Sequence, residues 1–120
     1  MRIKMIALLA VATTLLAGAA WADETGSAGT ILSLEIRTVS SDLYPQAHGI
    51  LLVKQSIDDM VVEYRWGGTS CGSKILTESQ FSYLMDLAAA PYMLIEPIYK
   101  AGQGQTICLV GFKAFNTKYE

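Results

Sequence analysis

The chain is short of the residues that do chemistry. It has one histidine, His48, and two cysteines, Cys71 and Cys108. A zinc site needs about four ligands and a dithiol redox centre is normally Cys-x-x-Cys, so this inventory suits neither. No serine or cysteine sits in a recognisable nucleophile motif that His48 would serve as base, which leaves the histidine structural or merely exposed. Charge is sparse as well: 17% of residues are charged and the formal net charge is −2. Beyond the N-terminus the basic residues (Arg37, Lys54, Arg65, Lys74, Lys100, Lys113 and Lys118) are scattered among acids. A grip on nucleic acid or anionic lipid needs clustered Lys and Arg. The expectation is a protein without cofactor, metal or nucleic-acid partner, and not an enzyme.

What is present begins with an export signal. Arg2 and Lys4 form a basic start, an apolar run extends from Met5 to Leu16, and small residues lead to Ala20-Trp21-Ala22. This is the order of a cleavable signal peptide, with small side chains at the first and third positions before the cut. Residues 1–22 are therefore read as a signal peptide cleaved after Ala22. The competing reading is an uncleaved anchor, because Met5 to Ala22 is free of charge and approaches the length that spans a bilayer. Against it stand Thr13, Thr14 and Gly18 inside the run and its ending in small residues, where an anchor would carry aromatic and basic ones. No cysteine lies near the cut to take a lipid, and no twin arginine precedes the run. Residues 23–120 have the size of one domain, with no membrane contact expected once the signal is removed. The positive mean hydropathy of +0.33 owes much to the signal segment.

Export gives the cysteines their meaning. In an oxidising compartment Cys71 and Cys108 form the only intramolecular pair available, closing a loop of 37 positions. Such a link is worth roughly 4 kcal/mol in the chain-entropy model. Free or metal-binding thiols are the alternative.

Along the mature chain, residues 23–29 (DETGSAG) are small and polar and read as a flexible lead-in. From Thr30 the residues alternate, with Leu32, Leu34 and Ile36 on one face of a first strand. Residues 40–47 are turn-rich. Gly49 to Gln55 is a more continuously apolar strand, Ser56 to Asp59 a hairpin connection, and Met60, Val62, Tyr64 and Trp66 share one face of a third strand. Three glycines among Gly67 to Gly72 mark a loop. Thr77 and Gln80 then fit a helix capping box, flanked by Leu76 and Phe81 as a hydrophobic staple. Phe81, Leu84, Met85 and Ala88 fall on one helical face running to about Ala90, and Pro91 stops it. Tyr92 to Tyr99 is a strand whose Pro97 argues for an edge or a bulge. Gly102 and Gly104 mark a turn, and Thr106 to Phe115 is a last strand with Cys108, Val110 and Phe112 on one face.

The resulting order is β-β-β-α-β-β: mainly β with one helix. It is the connectivity of a small OB-fold-like barrel, with an open antiparallel sheet packed on one helix as the alternative.

A signal segment, a Gly-led first strand, Cys71-Gly72 before a helix and Cys108 opening the final strand resemble a loose set of short exported bacterial proteins of unknown function. The same order of elements, from Gly29 to Phe115, is similar to the B-subunits of AB5 toxins. That resemblance implies an OB-fold, a pentameric homo-oligomer and a glycan ligand. It rests on topology, two cysteines and a helix, and no position matches a glycan-binding residue of the family.

Among candidate sites, Asp58-Asp59 lack the further oxygens, glycine and glutamate of a calcium loop, and turn chemistry accounts for them. Tyr64, Arg65 and Trp66, beside the glycine loop, are the surface candidates for contact with a ligand or partner, because aromatic and guanidinium groups stack on sugars and side chains. Core packing competes for Tyr64 and Trp66, which share the face of Met60 and Val62. The expectation is an exported, non-catalytic binding or interaction module whose partner is a protein or a glycan. A periplasmic inhibitor or accessory subunit is the alternative, and an unrecognised hydrolase comes third.

Overall fold

A computed structural model of the chain describes residues 22–117. All but Ala22 of the proposed signal peptide lies outside the described residues. The elements are β1 (Glu24–Thr25), β2 (Gly29–Ile36), β3 (Gly49–Gln55), β4 (Val61–Trp66), α1 (Gly68–Cys71), α2 (Glu78–Ala88), β5 (Met93–Ala101) and β6 (Ile107–Asn116).

Five strands close into a barrel in the circuit β2-β3-β4-β6-β5 and back to β2. The β2–β3, β3–β4 and β5–β6 ladders are long and antiparallel. Closure is thin by comparison: β4 meets β6 in parallel at Arg65↔Cys108, and β2 meets β5 at Gly29↔Ile95. A parallel third-to-fifth strand contact, with a helix between the third and fourth strands, is the OB-fold arrangement. The barrel is closed, so the open-sheet alternative is excluded.

The core fills the barrel with Leu51 and Val53 from β3, Tyr64 and Trp66 from β4, Ile95 from β5 and Leu109 from β6. Alternation along each strand sends these inward. Leu76, Leu84 and Leu87 pack against them from the helical side, with Phe81 partly buried alongside. The capping box of α2 is formed: Gln80 N donates to Thr77 Oγ1 (3.3 Å) and Thr77 N donates to Gln80 Oε1 (2.8 Å). The buried helical stripe is Phe81, Leu84 and Leu87, however, while Met85 and Ala88 face outward. The helix rests one notch around from the expected face because Leu87 is bulkier than Ala88 and gains more by burial.

Three further expectations are corrected, the first two by a local break in period. The ladder between β2 and β3 shifts register between Ile31 and Ser33, so Ile31 and Leu34 pack on the core and Leu32 is 55% exposed. A bulge inserts one residue and flips the phase of alternation. In β6 a second shift falls opposite Ile98/Tyr99, skipping Val110. Ile107, Leu109, Phe112 and Ala114 therefore face the core, and Cys108 is buried on the other side. Gly67 to Gly72 is not irregular throughout, since Gly68–Cys71 is a single helical turn between Gly67 and Gly72, both at positive φ.

The lead-in is not a free tether either. Glu24–Thr25 pairs antiparallel with Ile98–Tyr99, and Gly26 N donates to Pro97 O (2.8 Å). In a strand, N and O of one residue point to the same side. Pro97's missing donor therefore faces Gly26, just past the last β1–β5 pair, Thr25↔Ile98.

Candidate functional site

The disulfide Cys71–Cys108 is formed, with Cα atoms 5.7 Å apart. It ties α1 to the start of β6, and neighbouring main-chain bonds extend the tie. Thr69 N donates to Pro45 O (2.8 Å), Ser70 N to Gln46 O (2.9 Å) and Gln103 N to Ser70 O (2.8 Å). One helical turn thus knits together the β2–β3 and β5–β6 loops. OB-folds use the face of their second and third strands and these same two loops to hold oligonucleotides and oligosaccharides.

Arg37 fixes the β2–β3 loop from within. Its side chain is 10% exposed and donates to the carbonyls of Leu43 and Ala47, both at 3.2 Å, while pairing with Glu35. His48 stacks on Tyr44 with ring centroids 4.0 Å apart, and Gly67 lies directly against its ring. The histidine is packed rather than presented. Asp58 closes the β3–β4 hairpin: Gln55 Nε2 (2.9 Å) and Met60 N (3.0 Å) both donate to its carboxylate, and in that order they lower its pKa. Among the described residues no group of three His, Cys, Asp or Glu side chains is arranged to hold a metal.

The structure separates the three expected contact residues. Tyr64 and Trp66 are 1% and 0% exposed, so neither can touch a ligand. They fill the barrel because a strand's inward positions take its largest apolar side chains. Burial, with Tyr99 nearby, pushes the Tyr64 hydroxyl up to about 12. The Trp66 Nε1 donor is buried and finds no hydrogen-bond partner among the described residues. Arg65 points the other way and pairs with Glu63 on the barrel exterior.

Arg65 also borders an open groove of about 450 Å³ between β4 and the segment entering β6. One wall is Val61, Val62 and Glu63, the other Gln105, Thr106 and Ile107. The groove exists because, among the described residues, β4 and β6 pair as strands at Arg65↔Cys108 alone and no ladder continues from there toward Val61. The same Gln105–Ile107 segment borders a second recess of about 210 Å³ with Glu24 and Tyr99 on its far side. At the Val61 end, Ile57 and Met60 on the hairpin tip are 82% and 62% exposed. Sequence reasoning found Arg65 but missed the opposite wall, whose one signal was the turn marked by Gly102 and Gly104. Comparison with family models, curated proteins and solved structures finds no match to this chain.

Proposed function

We propose that this protein is an exported, non-catalytic binding module that takes its ligand in the groove between β4 and Gln105–Ile107. The observation carrying this reading is that the groove is built from β4, one of the two strands through which OB-folds bind, and from the β5–β6 loop they also use. A disulfide bracing the same loop is compatible with an oxidising compartment and holds the binding edge in shape without ligand. The exposed apolar tip at Ile57 and Met60 favours a protein over a glycan as partner, which also supports the alternative reading, an accessory subunit or inhibitor.

The test is capture of partners from the native compartment by cross-linking, comparing wild type with Arg65→Glu and Gln105→Ala in the groove and Lys74→Ala at the disulfide rim. Groove substitutions are expected to abolish capture while Lys74→Ala leaves it intact. Equal capture by all four would remove the groove from the function. Intact-mass analysis of the natively produced protein checks export: Met1 still attached, or both thiols free to alkylate without reductant, would sink it.

A further inference from the structure

We propose that the outer edge of β4, from Val61 to Glu63, accepts an extended peptide segment of a protein partner as an added strand. This rests on the binding-module reading and names the ligand class for its groove.

The main chain carries the inference. Residues opposite each other in an antiparallel ladder alternately bond across the pair and point both groups away. Gln55 N donates to Met60 O (2.8 Å), and the register continues unbroken from Lys54↔Val61 to Gly49↔Trp66. Even-numbered residues of β4 therefore direct N–H and C=O toward β3. Val61, Glu63 and Arg65 direct theirs to the opposite edge. Arg65 meets β6 there, in the only β4–β6 pair among the described residues. The N–H and C=O groups of Val61 and Glu63 face the groove, and among the described residues no strand pairs with them.

Two residues along a strand span about 6.8 Å, the repeat at which an extended peptide offers its own donors and acceptors. The groove volume of about 450 Å³ lies in the usual range for ligands, about 300–1,000 Å³. Among the described residues no aromatic side chain lines it, which offers a sugar no stacking platform there, and the one cation among them, Arg65, is already paired with Glu63. The short length of the free edge and its Glu63–Arg65 pair guard against runaway self-pairing while leaving room for one short strand. Exposed Ile57, Met60 and Val61 at one end and the ion pair at the other give the added strand an apolar end and a polar end.

The test pans a phage library of random dodecapeptides against the natively exported, disulfide-bonded protein and titrates the selected peptides by NMR. Amide shifts are expected to concentrate at Val61, Glu63 and Ile107. N-methylation at alternate peptide residues should weaken binding at least tenfold in one register and less than threefold in the other. Val61→Pro removes only an outward N–H and should abolish binding with Trp66 fluorescence unchanged. If that variant unfolds, the N-methyl scan on the wild-type protein decides alone. Failure to enrich any peptide, equal effects in both registers, or shifts on another face would overturn strand addition. An oligosaccharide array is run beside it: glycans bound in the groove without peptides would end the strand-addition proposal and spare the binding module, and binding of neither class would end both.

Discussion

Gly49 opens β3 flat against the indole of Trp66, its partner in the β3–β4 ladder. A Cβ at position 49 would collide with the indole's six-membered ring and, at 2.6 Å, with the Glu35 carbonyl oxygen. The glycine is there because the largest core side chain crosses the strand at that point, and the ring in turn covers the bare backbone.

Gly49→Ala is therefore expected to overpack the barrel and destabilise it by about 1–3 kcal/mol. Urea denaturation followed by Trp66 fluorescence checks this, and a loss under about 0.5 kcal/mol would mean that the ring has room to move.

Replacing both Cys71 and Cys108 by alanine should lower stability by roughly 4 kcal/mol, since the bridge closes a loop of 37 positions. Amide exchange should accelerate first in Gly67 to Gly72 and Gly102 to Thr106, the segments that the bridge and α1 hold together. Uniform acceleration across the barrel would instead point to global loosening.

Arg37→Ala removes the donor to two loop carbonyls and should cost about 1.5–3 kcal/mol. Lysine should not rescue it, because an ammonium cannot reproduce the guanidinium's reach to Leu43, Ala47 and Glu35 together. Hydrogen exchange over residues 38–48 is the readout, and rescue by Arg37→Lys would refute the account.

Stability should fall at alkaline pH through Tyr64. Its pKa is about 12 in the folded protein, against an ordinary value of 10.0. The unfolded chain loses this proton first, so the contribution is intact below pH 10 and disappears between pH 10 and 12. By linkage the loss approaches roughly 2–3 kcal/mol. The difference in denaturation midpoint between wild type and Tyr64→Phe should shift with this sign across that window; a flat difference would contradict the assigned environment.

The bulge in β2 makes a paired prediction. Leu34→Ala, on the core side, should destabilise by about 2 kcal/mol or more, while Leu32→Ser, on the exposed side, should stay within about 0.5 kcal/mol. Equal losses would restore the unbroken alternation.

By itself the sequence determined the order of the five barrel strands and α2, the capping box at Thr77 and Gln80, and the Cys71–Cys108 pair. Each is set by near neighbours or by a count: a cap spans four residues, alternation spans a strand, and two cysteines allow one bridge. Tertiary structure decided which faces those elements turn inward. The bulges at Leu32 and Val110 each shift the phase by one residue, and they answer to the register of a neighbouring strand that no local pattern encodes. Burial of Tyr64 and Trp66 was likewise settled by the barrel's need for volume at its centre. The groove followed last, since it depends on where β4 and β6, more than 40 positions apart, cease to pair.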